Sequence, residues 1–320
     1  MRYYDIQITD PKSGKVLKRY TSYVNGQSDP GALNVEMDIQ VAPYDTPVGG
    51  SFVRVWGIPL TDIGQASDLN FKNISVFGGM QKGLPLANPA QNGLLVAGSI
   101  IQAFGNWRDV DMTLDLNLVA AGPSPGETQV NLTQNWVSGT PLSSAIKTTL
   151  ATAFPSYTSD IQISSKLVLA HDEPGFYGNL SQYAAYVREM SQSIIGGTYA
   201  GVRISIQKNK FIVRDGTTTK TPFQIAFNDL IGQVTWKASG IVNFTCVMRA
   251  DLHVDDYVKL PPGQVTTTAA SLSQYRSGSV FNGVFQINNV RHVGNFRAES
   301  GDYWVSVFDA SLQSPNSAAA

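Results

Sequence analysis

Two segments of this chain alternate between apolar and polar residues without a break, the pattern of a β-strand that buries one face. In Leu33-Asn34-Val35-Glu36-Met37-Asp38-Ile39-Gln40-Val41, the odd-numbered residues are apolar and Asn34, Glu36, Asp38 and Gln40 face the other way. Asp109 to Leu118 repeats the pattern: Val110, Met112, Leu114, Leu116 and Leu118 are assigned to a core, and Asp109, Asp111 and Asp115 to the opposite side. One wet face implies antiparallel sheet, because parallel sheets are usually covered on both faces. Phe52–Ile58 and Phe71–Phe77 predict further strands, separated by the turn clusters Pro47-Val48-Gly49-Gly50 and Phe77-Gly78-Gly79. Residues 1–122 are therefore expected to form a small barrel or sandwich.

The pattern changes after Ala121-Gly122-Pro123-Ser124-Pro125-Gly126, a linker by composition. A helix is predicted from Pro141, with Thr140 as N-cap, ending before Pro155. A short β segment at Asp160–Leu169 precedes a second helix, Leu180–Ile194, whose Leu180, Ala184, Val187, Met190 and Ile194 recur every three or four residues before Gly196-Gly197. Val202–Gln207 and Lys210–Asp215 read as a hairpin turning at Lys208-Asn209. From Gly216 the chain returns to β, with strands expected at Gln233–Lys237, Ile241–Arg249, Tyr257–Leu260, Val280–His292 and Tyr303–Ala310. Thr266–Ser279 reads as a mobile loop and Ser314–Ala320 as a frayed tail. The expected domains are 1–122 (β), 123–216 (α+β) and 217–320 (β).

Charge narrows the function. Only 15% of the 320 residues are charged, against about a quarter in a typical soluble chain. Lys and Arg number 23 and Asp and Glu 24, so the basic footprint of a nucleic-acid binder is missing. A chain with so little net charge is prone to associate. Its single cysteine, Cys246, excludes an intramolecular disulfide and reads as a buried hydrophobe. Met1–Asp5 has no apolar core of a signal peptide, and the apolar run Leu94–Ile101 is far shorter than the roughly 20 residues of a membrane span.

No chemistry-bearing pattern stands out. His171, His253 and His292 lack metal-ligand spacing, and no nucleophile elbow, phosphate loop or dinucleotide fingerprint is present. His171-Asp172-Glu173-Pro174-Gly175 reads as an exposed acidic turn, and Asp255-Asp256 as a turn without the calcium-loop pattern. Trp56, Trp107, Trp136, Trp236 and Trp304 each lie in or beside an apolar strand pattern, so core or interface burial is expected. No catalytic residue, cofactor or metal is assigned.

The last ninety residues carry a resemblance. Leu230-Ile231-Gly232-Gln233-Val234-Thr235-Trp236, the run Gly240–Leu252, and Val254–Leu260 lead into Phe285–Asn295 and Gly301-Asp302-Tyr303-Trp304-Val305-Ser306-Val307. This succession resembles the hub proteins of long-tailed bacteriophage baseplates, although Val234 stands where that family often has Pro, and Val254-Asp255 where it often has Pro-Gly. For residues 1–216 only the order of domains agrees. The resemblance implies a mainly β fold in which two tube-type antiparallel β-barrel domains flank a smaller mixed domain. It also implies a homotrimeric, pseudo-hexameric ring that joins the tail tube or its initiator above to the spike below, with DNA passing through. Localisation would be the virion tail baseplate, after assembly in the host cytoplasm and with no membrane anchor.

On that plan, the face carrying Glu36, Asp38, Asp109, Asp111 and Asp115 is a candidate lining of the ring's channel, where negative charge would let DNA slide without sticking. An ordinary outer surface is the alternative for those acids. For the whole chain the alternatives are a tail-tube initiator of the same baseplate, a carbohydrate-binding adhesin-like β protein, or a peptidoglycan hydrolase.

Overall fold

The computed structural model describes residues 1–44, 50–81, 88–120, 131–217, 220–261, 281–300 and 303–313. The linker at 121–126, the loop at 266–279, the tail at 314–320 and residues 47–49 of the first turn cluster fall outside these. The protein is mainly β with an α+β middle part. Strands β1 (Arg2–Thr9), β2 (Val16–Thr21), β3 (Tyr23–Val24), β4 (Gln27–Ser28), β5 (Val35–Val41), β6 (Gly50–Trp56), β7 (Asn73–Met80), β8 (Gly93–Arg108) and β9 (Asp111–Val119) occupy the first third, with a short helix α1 (Leu60–Gly64). The middle contains β10 (Leu132–Trp136), α2 (Leu142–Ala153), β11 (Thr158–Gln162), β12 (Glu173–Tyr177), α3 (Leu180–Ile195), β13 (Arg203–Gln207) and β14 (Lys210–Arg214). The last third adds β15 (Phe223–Gln224), β16 (Thr235–Ala238), β17 (Ile241–Val247), β18 (Tyr257–Lys259), β19 (Phe285–Asn295) and β20 (Trp304–Leu312).

The two β regions form one sheet. Its order is β16-β17-β20-β19-β5-β6-β9-β8-β7-β1-β2, with β15 and β18 attached beside β19. The seam is β19. Its first residues pair with β18, while Val290 to Asn295 pair with Val41 to Glu36 of β5. Around each end the sheet curls over its own core. In the first, Tyr4, Ile6 and Ile8 of β1 share a cluster with Val35, Met37 and Ile39 of β5, five strands away in the sheet order. Only a rolled sheet brings such distant strands together. Side chains help close the roll: the Arg2 guanidinium donates to the carbonyls of Asn295 (2.8 Å) and Ser300 (2.6 Å), and the Tyr4 hydroxyl to that of Leu33 (2.7 Å).

The second core is built from Val242, Phe244, Cys246, Phe285, Val290 and Phe308, with Tyr44 contributed from the first third. The exchange runs both ways. Met248, Ala250 and Trp304 belong to the first core, and the Trp304 indole donates to the carbonyl of Gly79 (2.8 Å). This explains a local departure from the sequence reading: Gly78-Gly79 is not a turn but lies inside β7. A Cβ on Gly78 would come within 2.6 Å of Leu95 and 3.1 Å of Met248, so the strand is glycine there because other chain segments press against it.

The middle core packs α2 and α3 with a three-stranded sheet of order β11-β14-β13, in which β11 and β14 are parallel. Helix α3 buries Leu180, Tyr183, Ala184, Val187 and Met190, begins at Asn179, whose side chain accepts from the Gln182 amide, and stops at Gly196 with φ +73°. Lys208 and Asn209 both adopt positive φ (53° and 60°), the backbone twist a two-residue hairpin needs. Helix α2 instead has Pro141 at its N-cap with no side-chain cap, in place of the expected Thr140. The β segment expected at Asp160–Leu169 ends at Gln162, and Pro174-Gly175 lies within β12 rather than in a turn; Pro174 fits because β12 pairs with β10 alone.

Candidate functional surface

Outward residues of β5, β6 and β9 meet in one row. Cross-strand partners in the register run Asp115, Arg54, Glu36 and Asn295, so four strands contribute one polar side chain each. Arg54 grips Asp115 with two parallel bonds, Nε to Oδ1 and Nη2 to Oδ2, both 2.7 Å, and its Nη1 lies 3.8 Å from Glu36. Asn295 donates to Glu36 (3.0 Å) and Asn106 to Asp115 (3.2 Å). The guanidinium also lies over the rings of Phe52 and Trp56, at 5.2 and 5.5 Å. Hydrogen bonding to Asp115 raises the Arg54 pKa against the opposing effect of burial.

The pattern recurs along the same face. Arg291 of β19 binds Asp38 through Nε (2.7 Å) and Nη2 (2.5 Å), and that hydrogen bonding raises its pKa. Asp309 of β20 accepts from Lys237 (2.8 Å) and Asn243 (2.9 Å). Burial alone would raise the Asp309 pKa, but the bonds from Lys237, Asn243 and Asn289 outweigh it and hold it below the usual range. A depression of about 520 Å³ lies among Asp38, Gln40, Phe52, Asn117 and Arg291.

The five acids singled out from sequence thus fall into two groups. Glu36, Asp38 and Asp115 come together on one face, each facing an arginine. Asp111 is exposed at the start of β9, opposite Arg108, and Asp109 sits in the hairpin turn with φ 53°, its carbonyl accepting from the Trp107 indole (2.8 Å). Val110, expected in a core, is 89% exposed at that turn. The alternation carries one residue pair beyond the strand because a two-residue turn preserves the apolar–polar rhythm. Of the tryptophans, Trp136 and Trp304 are buried, Trp56 is half-buried, and Trp107 and Trp236 are exposed.

A second polar cluster joins the middle core to the last third, and no local pattern reveals it because Lys208, Lys220 and Gln286 lie 31 to 45 residues from their partners in the His253–Asp256 segment. Lys208, in the β13–β14 turn, donates to the carbonyl of Ala250 (2.6 Å) and lies 2.8 Å from His253 Nε2. The other ring nitrogen of His253 is 3.1 Å from Asp256. Lys220 bridges Asp255 (3.1 Å) and Asp256 (3.3 Å), and Gln286 donates to Asp255 (2.7 Å). His171, by contrast, is exposed, with Nε2 2.6 Å from Glu173. Among the described residues no group of His, Cys, Asp and Glu is arranged to hold a metal ion, and no helix is long and apolar enough to cross a membrane.

No protein-family model and no curated protein matches this sequence. Solved structures do. The 43 kDa tail protein of prophage MuSo2 from Shewanella oneidensis superposes with a TM-score of 0.57 at 8% identity, over 99% of this chain and 98% of that one. A tail protein from Neisseria meningitidis MC58 gives 0.58 at 9% identity, over 98% of each chain. A chain of the PdpA–VgrG complex gives 0.51 at 8% identity, over 98% of this chain and 66% of that one. The fold described above is therefore, along its whole length, that of phage tail proteins.

Proposed function

We propose that this chain is a structural hub of a phage tail baseplate: three copies close into a ring whose six β lobes approximate six-fold symmetry, linking the tail tube to the central spike and letting DNA pass. The observation that carries this reading is the β5–β19 seam. By pairing there, the chain presents the polar strands of both its β regions as one continuous surface, as two quasi-equivalent positions in a single wall require. Full-length likeness to two tail proteins supports it, and likeness to a chain of the PdpA–VgrG complex supports a role among tail and spike partners. The role is architectural rather than enzymatic, performed in the virion tail after assembly in the host cytoplasm. The domain units are 1–122, 123–216 and 217–320.

In this reading the face bearing Glu36, Asp38 and Asp115, with Asp109 and Asp111 at its end, lines the channel. Arg54, Arg291 and Lys237 neutralise most of Glu36, Asp38, Asp115 and Asp309, leaving a dense polar wall with a slight negative excess. Arginines already engaged by carboxylates are not free to hold phosphates, so DNA slides past them.

Light scattering over a range of concentrations tests the assembly. A discrete species at three times 34.6 kDa, showing a central hole when imaged, is expected. A monomer at every concentration, with and without a spike partner, or a ring carrying these acids on its outer surface, overturns the reading.

A further inference from the structure

A groove of about 520 Å³ runs along helix α3 beside the start of β13, with Tyr44 on its wall. Ser181, Ala184 and Ala185 line part of the helix side with small side chains, and Arg188, Glu189 and Arg203 supply its charge, one positive in excess. Arg203 is half-buried, and its guanidinium carbon lies 4.8 Å from the centre of the Tyr44 ring. Its Nε is fully buried without a hydrogen-bond partner, and among the described residues no carboxylate pairs with it. Arg214, directly opposite in the β13–β14 register, has Asp160 at 3.0 Å and Asp255 at 3.5 Å. Two arginines facing each other across a ladder repel, and among the described residues only Arg214 has a counter-charge.

We propose that this groove is a carboxylate-binding site anchored by Arg203. A guanidinium half out of water, with no counter-ion among the described residues, is poorly solvated, and an incoming anion replaces the lost hydration. Stacking on Tyr44 holds the guanidinium plane, which presents its terminal nitrogens as a fork matched to the two oxygens of a carboxylate. A phosphate dianion fits less well, because the charges of Arg188, Glu189 and Arg203 sum to one positive and a single negative charge already neutralises the groove. The carboxylate comes either from a small molecule or from an acidic side chain of a protein partner. The site does not depend on the ring assembly.

Calorimetric titration of the full chain tests this with three probes: butyrate, a capped Gly-Gly-Glu-Gly-Gly peptide and inorganic phosphate. Both carboxylate probes are expected to bind more tightly than phosphate. Arg203→Gln should weaken them at least tenfold, Arg203→Lys several-fold, and Glu189→Gln, at an exposed helix position, should strengthen them two- to threefold. Peptide binding at least tenfold tighter than butyrate identifies a protein segment as the ligand; equal binding identifies a small carboxylate. Unchanged affinity in Arg203→Gln, or tighter binding of phosphate than of either carboxylate, overturns the proposal. Should Arg203→Gln fail to fold, an affinity that does not rise in Glu189→Gln overturns it equally.

Discussion

Mild acid should weaken this fold through one residue, His292. It lies on β19 at the seam between the two β regions, 2% exposed, with Nδ1 2.8 Å from the Ser306 hydroxyl. Burial, reinforced by the nearby positive charge of Lys208 and by His253, pushes its pKa down to about 3. In the unfolded chain an imidazole titrates near 6.5. The folded state therefore binds fewer protons than the unfolded state between those values, and stability falls as the pH drops through that window. At pH 5 the unfolded histidine is almost fully protonated and the folded one almost not, which costs about 2 kcal/mol relative to pH 7.5. Carboxylates with unfolded values near 4 contribute little at pH 5, so the two effects separate. Urea unfolding at pH 7.5 and pH 5.0, followed by tryptophan fluorescence, reads the difference. His292→Gln keeps a polar side chain that can bond Ser306 but does not titrate, so its loss between the two pH values should be smaller than that of the wild type by about 2 kcal/mol. Equal losses in both proteins would refute the argument.

Three further outcomes are expected. Arg54→Ala strands Asp115, 8% exposed, without its bidentate partner and should cost about 3 kcal/mol by denaturant titration, whereas Arg291→Ala breaks a pair exposed on both sides and should cost less than about 1 kcal/mol. Gly98→Ala places a Cβ 2.3 Å from the Val119 carbonyl oxygen, and Gly105→Ala one 2.5 Å from Ile63 Cα; backbone must move in each case, and thermal unfolding should show a loss of about 1–3 kcal/mol. Cys246 is fully buried, and burial pushes its thiol up to about 12, so an aromatic disulfide reagent should label it only on unfolding; rapid labelling of the native protein would contradict its placement in the core.

Local patterning is readable in the sequence itself. The alternation at 33–41 became β5, with Val35, Met37 and Ile39 buried, and the period of three to four at 180–194 became α3, because side-chain direction in a strand or helix depends only on position along the element. The Lys208-Asn209 turn was equally legible, since it separates two short apolar-rich runs. The acids of β5 and β9 could be assigned to a polar face for the same reason. Their arginine partners could not: Arg54 lies 61 residues from Asp115, and Arg291 lies 253 residues from Asp38. Nor does any local pattern reveal that β19 would pair with β5, that Trp304 would fill the first core, or that Arg214 would face both Asp160 and Asp255. Strand order, shared cores and charge pairing arise when segments hundreds of residues apart compete for the same neighbours. Sequence spacing along one segment encodes which face is apolar; the closed geometry of the whole chain decides what each face meets.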